Sequence, residues 1–145
     1  MVNRGYITSL IGCVAMSGSA FLPWLRIGDV GLPGIPDPAG YFMLGLGAVG
    51  ALLSAVGLRS GRNTKQGLVL VGLAGITTLV VVWFSGAATI ADRAQARAEA
   101  VAIVDNVPVL PVPAVHTAAG LVLGLIGAAA VAAVGLEDAW TRGGK

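Results

Sequence analysis

The sequence predicts an all-α membrane protein, an antiparallel four-helix transmembrane bundle whose third helix extends on the outer side. Only 11% of its 145 residues are charged and its mean hydropathy is +0.86, whereas a soluble domain carries about 25% charged residues. A bilayer core about 30 Å thick is crossed by about 20 apolar residues in a helix. Four stretches of at least that length contain no Asp, Glu, Lys or Arg: Gly5–Leu25, Pro38–Leu58, Gln66–Ala91 and Asn106–Leu136.

These stretches predict one transmembrane domain over residues 1–145, with no room for a separate soluble domain. Backbone groups in lipid must hydrogen-bond within the protein, so each span is expected to be a helix. The predicted spans are about 5–25, 39–58, 67–90 and 115–136. They leave two loops on the outer side, 26–38 and 91–114, and one on the inner side, 59–66.

The third helix is expected to continue past the membrane, because Ala87–Val104 is rich in Ala and contains no Gly or Pro. As one helix from Gly67 it would be about 57 Å long. It would then either project outward or break near Gly86 and lie back on the membrane. Residues 107–113 contain three prolines and are expected to be extended. The Gly- and Pro-rich residues of the first outer loop predict a series of turns.

The distribution of basic residues predicts which side each loop occupies. Lys and Arg concentrate on the cytoplasmic side, and six of the nine lie before the first span, between the second and third, and after the fourth. We therefore expect a multi-pass protein of the plasma (inner) membrane with cytoplasmic N- and C-termini. The inner-loop residues Arg59, Arg62 and Lys65 are explained by this topology, although they could also hold anionic lipid head groups.

Aromatic and basic residues near the span ends are expected to anchor the protein at the membrane interface. The predicted anchors are Trp24, Arg26, Tyr41, Trp83 and Trp140.

Small residues at four-residue spacing predict where helices approach closely, because such stripes let two backbones come together. The predicted packing positions are Gly120, Gly124, Ala128 and Ala132 in the fourth span and Gly47, Ala51 and Ala55 in the second. The spacing leaves open whether these stripes pack within one copy or against a second chain.

No catalytic, cofactor-binding or metal-binding constellation stands out, so we expect no enzyme activity, no cofactor and no metal. The predicted helices contain no acid or base, which weighs against active transport and proton conduction. The single histidine, His116, is expected at the membrane interface, since one imidazole makes a weak metal site. The single cysteine, Cys13, is read as a packing residue of an uncleaved first span. The basic residues form no face for nucleic acid.

The second outer loop carries the most plausible interaction surface. Asp92, Arg93, Arg97 and Glu99 decorate a predicted helix in a loop longer than simple reconnection requires. A solvated helix face is the equally weighted alternative.

The outline resembles small four-span membrane proteins common in actinobacteria. The resemblance rests on the Pro23-Trp24 pair ending the first span, the Gly-rich loop Gly28–Gly40, the Arg-rich connection Arg59–Lys65 and the Gly-Leu-rich last span Gly120–Gly127. It implies a four-span bundle and transfers no activity and no catalytic residue.

These observations favour a non-enzymatic accessory or scaffold subunit that associates with another integral membrane protein or with itself. Bound membrane lipid is compatible with this hypothesis. An oligomeric passive channel or small-molecule transporter is the first alternative. A prophage- or host-encoded modulator of an envelope protein is the second.

Overall fold

A computed structural model describes the backbone of residues 2–143 and the side chains of residues 4–137. Most of this part of the chain is helical, with a small sheet at one end. The elements in order are helix α1 (Val2–Ser19), strands β1 (Pro23–Ile27) and β2 (Val30–Pro33), helices α2 (Pro38–Ser60) and α3 (Lys65–Val81), a π-helical turn (Val82–Gly86), helix α4 (Ala87–Asp105), strand β3 (Val115–Thr117) and helix α5 (Ala119–Gly143).

Three helical segments of the described chain are long and apolar enough to cross a membrane: Pro38–Ser60, Lys65–Asp105 and Ala119–Glu137. These match three of the four predicted spans. The first predicted span, 5–25, is too long at its C-terminal end, because α1 ends at Ser19 and β1 begins at Pro23. Helix α1 is not among the three, since its part with described side chains, 4–19, is shorter than the others.

The predicted extension of the third helix is present. Helices α3 and α4 and the π-helical turn form one continuous segment of 41 residues, which is about 61 Å along the axis at 1.5 Å per residue. Gly86, where a break was considered, has helical φ and ψ angles of −67° and −46°. The helix ends at Asn106, which adopts a left-handed φ of 50° while its N–H bonds to the Ala102 carbonyl, as helix C-caps commonly do.

The all-α prediction omitted a three-stranded antiparallel sheet with the order β2-β1-β3. Strands β1 and β2 form a hairpin in which Ile27 pairs with Val30 across the two residues Gly28 and Asp29. Gly28, the first of the two turn residues, has a φ of +55°. Glycine with a positive φ at this position is typical of a type II′ hairpin turn. The first outer loop is therefore a hairpin rather than a series of separate turns.

Strand β3 is distant from β1 in the sequence but pairs with it in the sheet. Leu25 pairs with Thr117 and Ile27 with Val115. The fourth predicted span began at residue 115, but Val115–Thr117 is this strand, so α5 begins at Ala119. Asp37 caps α2 by accepting a 2.9 Å hydrogen bond from the Ala39 N–H, and the Ile35-Pro36 peptide before it is cis.

Helices α1, α2, α3 and α5 pack in a ring in the order α2–α1–α5–α3. A smaller contact between α2 and α3 closes the ring. Adjacent helices run antiparallel. Along α1, for example, Gly5 approaches Val134 and Gly12 approaches Gly127, so α5 runs the opposite way. We call the end that carries β1–β3 the sheet end, and the end that carries residues 61–64 the loop end.

Small residues inside this ring bring backbones into direct contact. A Cβ placed on Gly12 would lie 2.8 Å from the Gly127 carbonyl oxygen, and one on Gly127 would lie 2.6 Å from the Gly12 carbonyl oxygen. On the other flank of α5, a Cβ on Gly72 would lie 2.8 Å from the Ala128 carbonyl oxygen. Since no Cβ fits at such distances, these crossings need glycine.

Candidate functional site

The small residues predicted for packing lie inside a single copy of the chain. Gly120, Gly124, Ala128 and Ala132 are all buried in α5. Gly124 faces the Ser19 side chain of α1 and Leu79 of α3, and a Cβ there would lie 2.8 Å from the Ser19 Oγ. In α2, Gly47 is buried against α1, while Ala51 and Ala55 are half-buried. These stripes therefore hold the monomer together and are not free surfaces.

A polar cluster ties α1 to α2 in the middle of the bundle. The hydroxyls of Ser9 and Ser54 lie 3.0 Å apart, and Ser54 also donates to the Gly50 carbonyl at 2.8 Å. Cys13 is fully buried beside them, and a Cβ on Gly50 would lie 2.6 Å from its sulfur. The buried hydroxyls of this cluster all have hydrogen-bond partners, so the cluster stabilises the packing of α1 against α2.

The loop end is fastened by Tyr6. Its hydroxyl donates to the Arg62 carbonyl at 3.2 Å and accepts from the Thr64 N–H at 3.3 Å. Of the three inner-loop cations, Arg59 and Arg62 are exposed, whereas Lys65 is half-buried and engaged. The contact also places Arg4 at this end, so Arg4, Arg59, Arg62 and Lys65 lie at one end of the bundle, whereas Arg142 and Lys145 lie outside the described side chains.

Trp24 is the predicted interface anchor that the structure places differently. Its side chain is only 3% exposed, and its indole N–H donates to the Ser19 carbonyl at 2.7 Å. Ser19 is the last residue of α1, and its carbonyl also accepts a 3.1 Å hydrogen bond from the Leu22 N–H, so the indole is its second donor. The sequence predicted Trp24 at the membrane surface, but its side chain is packed between the sheet and the helices.

The other predicted anchors remain accessible. Arg26 and Tyr41 are exposed and Trp83 is half-exposed. The Trp140 side chain lies outside the described residues.

Strand pairing places His116 directly opposite Arg26 at the sheet end, with both side chains exposed. In the described part of the chain, no group of three or more His, Cys, Asp or Glu residues is arranged to hold a metal ion.

The charged residues predicted as an outer interaction surface lie on α4, where Asp92, Arg93, Arg97 and Glu99 are all exposed. Glu99 accepts a 2.9 Å hydrogen bond from Gln95, four residues earlier in the helix. The same helix carries a feature that sequence reasoning did not single out. Near its C-terminal end and in the proline-rich segment after it lies a cluster of exposed apolar side chains, here called the apolar tip: Val101, Ile103, Val104, Val107, Val109 and Leu110.

The apolar tip is strongly exposed. Ile103 is 81% exposed, Val104 is 82% exposed and Leu110 is 74% exposed. Beside it, α4 and the proline-rich segment enclose a groove of about 410 Å³ whose floor is apolar. Arg97 of α4 and Ile27 of β1 also line this groove.

A second, larger cavity of about 560 Å³ lies beneath the sheet. It separates β1, β2 and the segment that leads into α2 from the π-helical turn and the start of α4. Its lining residues are Trp24, Leu25, Leu32, Pro33, Pro36, Asp37, Pro38, Val82, Ser85, Gly86 and Ile90. We call it the sheet cavity. Its volume falls in the range of small-molecule sites, and π-helical turns are frequent at functional sites.

Sequence reasoning missed the sheet, and with it the sheet cavity. One signal was present, since the apolar segments PWLRI and VGLP are separated by the two residues Gly28 and Asp29. Two such residues between apolar segments are typical of a hairpin.

Comparisons with known families, curated proteins and solved structures give no match to this chain. Its function must therefore be argued from its own residues.

Proposed function

We propose that this protein is a small, non-enzymatic subunit of the plasma (inner) membrane that binds another integral membrane protein through its sheet end. The proposal includes a multi-pass arrangement with the loop end and both termini cytoplasmic. The distribution of charge supports it, because Arg4, Arg59, Arg62 and Lys65 lie at the loop end with one acid of the described residues, Glu137. At the sheet end, by contrast, basic and acidic residues are mixed.

The single observation that carries the proposal is the apolar tip. Ile103 lies about 57 Å along the helix axis from Lys65, well beyond the length needed to cross a bilayer core of about 30 Å. Polar residues between Asp92 and Glu99 separate the apolar tip from the membrane-length part of the helix. Several large apolar side chains left exposed to water beyond the membrane-length part of a helix are unfavourable and commonly mark a protein interface.

The neighbouring charges suit the same role. Arg97 lines the groove beside the apolar tip, while Asp92, Arg93 and Glu99 remain exposed on the same helix. An apolar centre with a charged rim is the usual organisation of a specific interface, in which the rim selects the partner and the apolar centre holds it.

The packing of the bundle supports a scaffold over a pore through one copy. At the Gly12–Gly127 crossing and at Gly72 against Ala128, backbones meet with no room for a side chain. Buried Met16, Leu79 and Val131 fill the space between. A conducting path would therefore have to form between copies, and solute flux in liposomes remains the test of that alternative.

The proposal predicts that a charge placed in the apolar tip releases the partner. The protein would be purified from its native membrane in mild detergent, and its co-purifying proteins would be identified and quantified. We expect a stoichiometric membrane protein with the native chain, and at least a tenfold lower yield with Ile103→Asp, since burying an unpaired carboxylate opposes binding by roughly 2 kcal/mol or more.

Ser60→Asp is the matched control, because Ser60 is exposed at the loop end, away from the apolar tip. Retention of the partner by both variants would refute the role of the apolar tip. A particle that contains only copies of this chain, and that Ile103→Asp disperses, would replace the second protein with a homo-oligomer.

A further inference from the structure

We infer that the sheet cavity binds one membrane lipid with a primary ammonium head group, which donates hydrogen bonds to Asp37 while the lipid chain lies against Trp24, Leu25 and Ile90. This inference goes beyond the proposed function, because the cavity and the apolar tip are separate surfaces. It rests on the position of the cavity, the chemistry of its wall and the accessibility of Asp37.

In the membrane arrangement proposed above, the sheet cavity lies at the level where lipid head groups meet lipid chains. Its wall includes Asp37 and Pro38, where the membrane-length helix α2 begins. On the opposite side it includes Ile90, immediately before the first charged residues of α4. A molecule held here would therefore have its polar end at the membrane boundary and its apolar end toward the core.

The polar groups of the wall offer hydrogen-bond acceptors, and its side-chain donors are already engaged. The indole N–H of Trp24 is bonded to the Ser19 carbonyl at 2.7 Å, and the Ser85 hydroxyl donates to the Val81 carbonyl at 2.6 Å. The wall prolines have no N–H to offer. The Asp37 carboxylate accepts only, so the complementary ligand head must be a donor.

Asp37 has capacity to receive such a head. One of its oxygens accepts from the Ala39 N–H at 2.9 Å, and an ionised carboxylate accepts about four hydrogen bonds in all. No Lys or Arg among the described residues forms an ion pair with it. Pro36, Asp37 and Pro38 are exposed, so a head group can reach the carboxylate from the surroundings. An ammonium group supplies both the donors and the opposite charge.

The apolar part of the wall suits a hydrocarbon chain. Trp24 and Leu25 form the face beneath the sheet, and Val82 and Ile90 form the face on the third helix. Gly86 lies between these faces. A Cβ placed on it would meet Leu25 Cδ1 at 3.7 Å and Val82 Cγ1 at 3.6 Å, which are ordinary contacts. A larger side chain can therefore enter the cavity from this position without displacing backbone.

The test is quenching of Trp24 fluorescence by lipids with brominated chains. Trp83→Phe and Trp140→Phe would leave Trp24 as the single tryptophan. The protein would be reconstituted in phosphatidylcholine vesicles and titrated with brominated phosphatidylethanolamine or brominated phosphatidylglycerol. Because Trp24 is only 3% exposed, bromine in the sheet cavity would quench it more strongly than bromine in the surrounding bilayer.

We expect brominated phosphatidylethanolamine to quench at a mole fraction about tenfold lower than brominated phosphatidylglycerol does. Asp37→Asn should abolish this difference, and it leaves a good helix cap in place because Asn caps as well as Asp. Gly86→Leu should block quenching by both lipids. Gly45→Leu is the control, since a Cβ on Gly45 meets nothing within 4 Å, and it should behave as the native chain does.

Equal quenching by the two lipids in the native chain would overturn the head-group assignment. Quenching of Gly86→Leu to the native extent would overturn the cavity as the binding site. Either result would leave the apolar tip and its partner untouched, so failure of this inference is distinguishable from failure of the proposed function.

Discussion

Trp24 shows how one residue can have a different role from the one its position suggests. Tryptophan beside an arginine at the end of an apolar span is typical of a membrane-interface anchor. Here the ring is buried and its N–H joins the Leu22 N–H in donating to the carbonyl of Ser19, the last residue of α1. The side chain thereby links the end of one helix to the sheet and forms a wall of the sheet cavity.

Glycines in the helices divide into two kinds that the sequence does not distinguish. Gly12 meets the backbone of α5, whereas Gly45 faces open space. Both lie within apolar helices and both are flanked by apolar residues. The difference between them depends on which face of each helix turns toward its neighbour.

We predict opposite effects for leucine at these two positions. Gly12→Leu should destabilise the protein by about 1–3 kcal/mol, because the side chain must displace the Gly127 carbonyl that a Cβ would approach to 2.8 Å. Gly45→Leu should be neutral or slightly stabilising, since glycine is the poorer helix former. Thermal unfolding in detergent, followed by circular dichroism, measures both. Equal midpoints for the two variants would contradict the close α1–α5 crossing.

The third helix joins the membrane-length part of the chain to the apolar tip through the π-helical turn Val82–Gly86. Such a turn holds one more residue than an α-helical turn would. The extra residue is absorbed within the turn, and the helix continues into α4, which carries both the apolar tip and the charged residues. The same turn supplies Val82, Ser85 and Gly86 to the wall of the sheet cavity.

Deleting one residue from this turn should leave the direction of α4 nearly unchanged, because an α-helical turn holds one residue fewer and covers about the same rotation. Phe84 is the residue to delete, because its side chain is 73% exposed and its loss leaves no hole in the core. We expect the distance between spin labels at Val30 and Ala96 to stay native in this variant. Deleting both Phe84 and Ser85 removes one residue more than the turn holds in excess, so it should rotate α4 by about 100° and change that distance. A changed distance in the single-deletion variant would show that the turn does not absorb an extra residue.

Charge separates the two ends of the bundle, and that separation predicts its orientation. Single-cysteine variants at Ser60 and Ala96, made in a Cys13→Ala background, place one thiol at each end, and both positions are exposed. In intact cells stripped of any outer barrier, a membrane-impermeant maleimide should label Ala96→Cys and spare Ser60→Cys. Lysis should expose both thiols. Labelling of Ser60→Cys alone before lysis would reverse the predicted orientation.

Hydropathy and charge along the chain were enough to predict a membrane protein, three of its membrane-length helices and the extension of the third helix. These are local properties, since a run of apolar residues or an Ala-rich segment has its effect wherever it lies. The charge-free stretches overestimated α1 and placed the start of the fourth helix too early, because the residues at those points pair as strands. Local composition does not reveal that pairing, which joins Leu25 to Thr117.

The rotation of each helix was decided only in the tertiary structure. A helix in a soluble protein shows which face is buried through the contrast between apolar and polar sides, but here the outward-facing and core-facing residues of the long helices are similarly apolar. Leu70 and Leu68 illustrate this, because they are two residues apart on α3, with 70% and 0% of their side chains exposed respectively. The close glycine crossings, the burial of Trp24 and the sheet cavity all follow from contacts between distant segments, so only the folded chain shows them.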